Sequence, residues 1–329
     1  MENSKNNIDV SIVIVCMNNL KNLYPCLESI RKYTNTSYEC LVVAYLFTKN
    51  NIKQVKENFP WVTFIESNEI RGFSENNNLA LRQAKGKYCF VLNDDTEMKM
   101  PVIDKLLATI KKLPNDVAVV SPRSVFGDGS FQSNGRTVHT TWKYILTLLH
   151  LYDEKKELWK IRDKRGLFET GDIVGAFFLI KTDLFRKVGF FDERFFFCPE
   201  DIALGYELRK LGYRHFVNAD IEIIHYEGMS GGQSVSWIKI ATAPAGTRGS
   251  LIFFSHNNKL LYALLSLIKV CSLFPKFVYL TIKSMFLADD IKTKIVLQSC
   301  KNSMIACITT MTPKQLFTHY YDQINTSMH

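Results

Sequence analysis

Asn93-Asp94-Asp95-Thr96 carries the strongest chemical signal in this 329-residue chain, because it follows directly on the apolar run Tyr88-Cys89-Phe90-Val91-Leu92. Two adjacent carboxylates at the end of a buried strand repel each other unless a cation shares them. A hard divalent ion with oxygen ligands would neutralise them and bridge to phosphates. The other reading is a polar turn that opens the next helix. A second acidic pair, Glu200-Asp201, follows Phe195-Phe196-Phe197-Cys198-Pro199. In a first helical turn it would complement the helix dipole, worth roughly 0.3–1 kcal/mol per charge. The aromatic wall before it adds a second reading, since a desolvated carboxylate gains basicity and can act as a general base. His225 ends the apolar run that starts at Ile221 and precedes the glycine-rich stretch from Gly228 to Gly232, which reads as a mobile loop. A histidine at that place is either structural or a ligand.

These residues need elements to hold them. Residues 10–16 (VSIVIVC) and 40–46 (CLVVAYL) are short, β-branched apolar runs, the composition of strands buried on both faces of a parallel sheet. Leu20, Leu23, Leu27 and Ile30 at helical spacing predict a helix over 20–33, and 52–59 predict another. Val62 to Ile65 is a third strand. Ser74 is the expected N-cap of a helix running to Gly86, and Tyr88 to Leu92 is a fourth strand. Pro101 then opens a helix. Strand and helix alternate four times, which implies a mainly parallel sheet with helices on its faces. Ligands of such sheets sit beyond the carboxyl ends of strands, so the residues after Cys16 and after Leu92 are the first places to search.

Residues 121–170 have weak periodicity and read as excursions over a binding face. Ile173 to Ile180 is a strand, Thr182 caps a helix ending at Gly189, and Pro199 opens a helix that Gly212 stops. Ile221 to Ile224 is the last strand. The expected division is 1–248 as the sheet domain and 249–329 as a helical, basic and apolar region.

Apolar residues make up 47% of the chain and charged ones 22%, so a folded globular protein is expected beyond Met1 to Asn7. The net charge of +9 suits anionic ligands or surfaces. It is spread without a long Lys/Arg run or a readout motif, so no nucleic acid is expected as a partner. Eight cysteines occur with no CxxC pair, which fits reduced, buried thiols in a cytoplasmic setting. The polar N-terminus does not read as a secretory signal. Leu260 to Leu280 is interrupted by Lys269, Pro275 and Lys276 and reads poorly as a spanning helix. A basic, apolar helix there could lie on a membrane surface, pack internally or form a homodimer contact. The position expected is cytoplasmic, with a peripheral place on the inner face of the cytoplasmic membrane left open.

From about Val10 to Gly232 the sequence resembles the family-2 glycosyltransferases of the GT-A fold, in particular bacterial rhamnosyltransferase-like members. SIVIVCMNN resembles their first strand and the turn that meets the nucleotide. NEIRGFSENNNLALRQAKGKYCFVLNDDT resembles the segment that leads into their acidic metal motif. GAFFLIKTDLFRKVGFFDERFFFCPEDIALGYELRKLGYRHFVNADIEIIHYEGMS is the most specific match. The resemblance implies an α/β GT-A fold and inverting transfer of a sugar from a nucleotide-diphosphate donor to a glycan or lipid-linked acceptor, in surface polysaccharide synthesis. It implies a divalent metal (Mg²⁺ or Mn²⁺) on Asp95, approached by His225. Asn18, Arg71, Asn78, Asn93, Asp94 and Gly175 fall on the donor side, Asp201 as general base and Glu200 beside it. Asp192 and Glu193 match an acidic pair before the aromatic wall, or form a surface turn. Two places depart from the family pattern. Ala44 stands where an acid commonly meets the nucleobase, and Ala203 stands where a further Asp commonly follows the acidic pair.

Two other classes stay open. A nucleotidyltransferase would carry a Gly-rich, basic phosphate loop after the first strand, where this chain has Met17-Asn18-Asn19. A non-catalytic nucleotide-sugar-binding relative is suggested by Ala44 and Ala203.

Overall fold

The computed structural model describes residues 8–226, 235–286 and 290–328. The expectations for Met1 to Asn7 and for Gly228 to Gly232 lie outside the described residues. Along the chain run β1 (Val10–Met17), α1 (Leu20–Tyr33), β2 (Tyr38–Tyr45), α2 (Lys49–Asn58), β3 (Val62–Ser67), α3 (Phe73–Leu81), β4 (Tyr88–Asn93), β5 (Thr96–Glu97) and α4 (Val102–Lys112). Then come β6 (Val117–Val125), β7 (Phe131–Ser133), α5 (Thr141–Leu148), α6 (Glu154–Lys160), β8 (Leu167–Thr170), β9 (Phe177–Lys181), α7 (Thr182–Lys187), α8 (Glu200–Lys210) and β10 (Arg214–His225). Four helices close the chain: α9 (Val235–Phe254), α10 (Lys259–Phe286), α11 (Ile291–Ile308) and α12 (Pro313–Met328).

The fold is α/β, with a mixed, mostly parallel sheet in the order β3-β2-β1-β4-β9-β6-β10-β5. β1 pairs in parallel with β2 and β4, while β9 enters antiparallel between β4 and β6. Side chains alternate across it, as the strand period of two requires. Val10, Ile12, Ile14 and Cys16 of β1 join one core with Leu23, Leu27 and Ile30 of α1 and Leu106 and Ile110 of α4. Val13, Leu41 and Val43 join the other core with Leu81, Phe185, Leu204 and Leu208. Fully burying each such side chain contributes about 1.5–3 kcal/mol, so both faces are needed and the sheet is covered on each.

Several boundaries differ from expectation for local reasons. α3 starts at Phe73 with Gly72 as its cap, not Ser74, because Phe73 N donates to Phe196 O at 2.9 Å. A Cβ on Gly72 would stand 2.2 Å from that carbonyl. Thr182 lies inside α7, and its hydroxyl donates to Gly86 O at 2.7 Å instead of capping. The stretch read as excursions holds β7, α5, α6 and β8, and takes in the last residues of β6, a strand whose nine residues are all buried.

The C-terminal helices close on the domain. Phe196, Ile240, Ala245, Ala306, Leu316 and Phe317 form a third core, with Phe196 and Phe317 stacked at 4.3 Å. Residues 248 and 249 fall inside α9. By length and composition α10 is long and apolar enough to cross a membrane, despite its lysines. All eight cysteines are free, six of them buried.

Candidate active site

A cavity of about 410 Å³ opens where the carboxyl ends of β1, β2, β4 and β10 meet. That is the ligand-binding edge of such a sheet. Its floor is Val15, Met17, Asn93, Asp94 and Asp95, and one wall is Tyr45 with Arg71, Gly72, Phe73 and Asn76 from the entry to α3. Phe196, Phe197 and His225 form the other side, and Ile238, Lys239, Thr242 and Phe317 close it from α9 and α12.

Asp95 and His225 meet because β5 and β10 pair antiparallel, with His225 opposite Thr96 and Tyr226 N donating to Asp95 O at 2.9 Å. The His225 Nε2 lies 3.3 Å from Asp95 Oδ1, and its Nδ1 lies 3.1 Å from Gln132 Oε1. With Nδ1–H donating to that oxygen, Nε2 presents its lone pair to a carboxylate. A proton or a cation between them completes the contact, so the donor set fits a divalent ion. Among the described residues no group of three or more His, Cys, Asp or Glu could hold a metal. This pair would therefore be completed by oxygens of a ligand or of water. Burial first, then the Asp94 carboxylate, pushes the Cys16 thiol well above its ordinary pKa.

Arg71 also reaches the cavity, held by Ser67 Oγ at 3.1 Å and Glu69 at 2.7 Å, while its backbone N donates to Tyr45 OH. Burial pushes Tyr45 up to about 12, so it stays a phenol. Asn18 and Asn78 are engaged elsewhere and are absent from the lining. Asn18 Oδ1 accepts from Thr48 N and Asn51 Nδ2. Asn78 is buried and clamps Phe191 through both backbone groups, with Nδ2 also donating to Glu193. That contact makes Glu193 part of a structural brace, while Asp192 pairs with Arg194 at 2.7 Å.

The second acidic pair does not line this cavity; it starts α8, three residues beyond Phe197, which does. Asp201 Oδ2 accepts from Arg136 Nη1 at 2.8 Å and from Gly175 N at 3.2 Å, and Oδ1 accepts from Ile202 N. One residue on, Ala176 O accepts from Asn93 N at 2.8 Å, so a single dipeptide joins the two acidic motifs. A Cβ on Gly175 would stand 3.0 Å from the Cβ of Asp201. Glu200 is buried and its Oε2 has no hydrogen-bond partner. Burial, then the charge of Asp201, pushes it up to about 8, so it is protonated at neutral pH.

Arg136 escaped the sequence reading because it lies in an aperiodic stretch far from Asp201 in the chain. Tyr45 is the last residue of β2, next to Ala44, and its place at a strand's carboxyl end is the signal by which the sequence offers it. Ala44 is fully buried in the sheet, and Ala203 faces a separate cavity of about 470 Å³ with Tyr206 and Phe253.

The sheet, its strand-end cavity and the acidic turn at the end of β4 define a nucleotide-sugar-transferase type of fold. The family described as Glycosyl transferase family 2 matches residues 11–189, and the chain belongs to that family. It is 27% identical over 165 residues to the O-antigen biosynthesis protein RfbC of Myxococcus xanthus, a match covering 47% of this chain and 12% of that protein. It is 26% identical over 106 residues to an uncharacterized glycosyltransferase of Haemophilus influenzae, covering 32% and 36%. The matches thus span well under half the length of these curated relatives. Two solved structures share the fold. GalNAc-T7 with UDP, GalNAc and Mn²⁺ superposes with a TM-score of 0.53 at 16% identity, over 68% of this chain and 44% of that one. The mannosyltransferase PcManGT of Pyrobaculum calidifontis with GDP-Man and Mn²⁺ gives 0.51 at 15% identity, over 92% and 87%.

Proposed function

We propose that the chain transfers a hexosyl or deoxyhexosyl group from a nucleoside-diphosphate sugar to a hydroxyl of a glycan or lipid-linked acceptor, with inversion at the anomeric carbon. The observation that carries this reading is the contact of His225 with Asp95 on the floor of a strand-end cavity that Arg71 and Asn93 also line. Family membership and the two superposable transferases, both in complex with a nucleotide or nucleotide sugar and Mn²⁺, support it. The similarity to the O-antigen biosynthesis protein RfbC supports a place in surface polysaccharide assembly.

A divalent cation held by Asp95 and His225 would neutralise the diphosphate as it leaves. Arg71 and Asn93 orient the donor, and Tyr45 offers a phenol and an aromatic face to the nucleoside. Asp201 accepts the proton of the acceptor hydroxyl as its oxygen bonds to the anomeric carbon and the bond to the diphosphate oxygen breaks. Gly175 leaves the space that keeps this carboxylate within reach of the strand ends. Glu200, protonated, adds no second negative charge beside it.

A panel of nucleotide sugars tested by thermal shift with and without Mn²⁺ should show one donor stabilising the protein in a metal-dependent way. Asp201→Asn should then lower turnover by roughly 10²–10⁴-fold with that thermal shift retained. Turnover near the parent value would remove Asp201 from the mechanism. A binding-only relative is the reading that the Asp201–Arg136 pair favours, and donor binding without transfer or hydrolysis would select it.

A further inference from the structure

The outer face of α10 is the reverse of what a soluble helix presents. Leu260, Leu264, Leu267, Phe274, Val278 and Ile282 recur down one side at helical spacing, and all are exposed, Leu260 by 84% and Leu267 by 61%. At about 100° per residue, Lys269, Lys276 and Lys283 fall on the opposite side of the helix. Lys269 is half-buried near Cys300 and Cys307 of α11, where burial pushes its pKa down. Lys283 reaches Asp290 at 3.9 Å. Leu265, Ser266 and Leu280 are buried. No Asp or Glu occurs from Lys259 to Phe286. The ridge runs the length of a helix of roughly 42 Å, and exposed apolar patches of that extent mark interaction surfaces.

We propose that this face of α10 lies in the plane of an anionic lipid bilayer, its apolar side chains at the boundary of headgroups and acyl chains. Net charge favours an anionic over a neutral surface, although Lys269, Lys276 and Lys283 of α10 face away from the ridge: the chain carries +9, and residues 249–329 hold eight lysines against three aspartates. A second copy would be expected to meet a narrow heptad seam with charged flanks that set register, whereas this patch is broad and its outer side uncharged. A crossing orientation would strip the lysine side of α10 from α11 and place it in hydrocarbon. The proposal concerns where the chain sits and stands whether or not it transfers a sugar; if it does, the acceptor is lipid-linked.

The test is co-sedimentation of the full chain with phosphatidylcholine vesicles and with vesicles of phosphatidylcholine and phosphatidylglycerol. The parent protein should bind the anionic vesicles better than the neutral ones, and less at high salt. The double variant Leu267→Glu/Phe274→Glu should lose binding by roughly tenfold or more, with its melting temperature in solution unchanged. Leu264→Gln repeats the test with a single exposed, uncharged change should the double variant melt early. No binding to either vesicle, or equal binding by the variants, overturns the proposal. So does a stable lipid-free dimer that the variants dissociate, which assigns the face to a second copy. Vesicle-bound protein that resists alkaline carbonate overturns the in-plane orientation in favour of crossing.

Discussion

At the end of β4, Asp94 and Asp95 sit on the floor of a cavity with an imidazole 3.3 Å from one of them. At the start of α8, Glu200 and Asp201 sit beside the same strand ends with a guanidinium 2.8 Å from one of them. Both are adjacent acids largely removed from water, a costly arrangement. The chain manages them differently. An imidazole is a conditional cation and a metal ligand, whereas a guanidinium is a permanent cation that ligates no metal. At the second pair the remaining charge is removed by protonation of Glu200. The first arrangement suits a ligand that arrives with its own cation. The second suits a carboxylate that must be held in one place whatever is bound.

The comparison breaks most sharply at Asp95. Asp95→Asn keeps the shape and removes the charge. Its kcat/KM should fall by roughly 10³-fold, and the Mn²⁺-dependent part of the donor's thermal shift should vanish with it. Asp201→Asn should leave that shift intact. If both variants lose metal-dependent donor binding equally, the two pairs do not have separate tasks.

A smaller effect is expected behind Asp201. Arg136→Met removes the cation and one of the hydrogen bonds that fix the carboxylate, leaving Gly175 N and Ile202 N. Displacements of this kind cost roughly tenfold to a hundredfold. The loss should fall on kcat with donor KM unchanged, and Arg136→Lys should recover part of it. A purely structural Arg136 would instead lower the melting temperature with kcat per folded molecule preserved.

How far these features could be read in the sequence follows from how local their causes are. β1 to β4 were legible because a strand buried on both faces is a continuous apolar run, as VSIVIVC is. The acidic turn was legible because it abuts such a run. β6 was not, because its buried length includes Ser121, Pro122, Arg123 and Ser124, with Arg123 donating to Arg162 O and lying 3.5 Å from the Glu222 carboxylate. The start of α3 was misplaced because the residue that decides it, Phe196, is more than a hundred positions away. The lysines of α10 broke its apolar run in the sequence, yet helical geometry gathers them on one side. Arg136 meets Asp201 only through tertiary structure, and no local pattern announces it.

The smallest effect, and the one that tests the second pair's means of neutralisation, is a slope of stability against pH. Glu200 rises from an ordinary 4.5 to about 8 in the folded protein. Below about 4.5 both folded and unfolded chains carry its proton and pH has no leverage. Between about 4.5 and about 8 the unfolded chain releases that proton and the folded one keeps it, so stability falls as pH rises, and the loss levels off above about 8. His139 adds a slope of the same sign. Burial works against its charged form, but Asp172 and Glu154 outweigh that and hold it up to about 9, so its contribution is full below about 6.5 and lost through about 9. Glu200→Gln imitates the protonated carboxyl and leaves His139 untouched, so the difference between parent and variant isolates Glu200. The two melting temperatures should agree near pH 5 and separate as pH rises, with the variant several degrees the more stable above pH 8. Parallel curves across that range would mean that Glu200 ionises in the folded protein, and that Arg136 balances two charges rather than one.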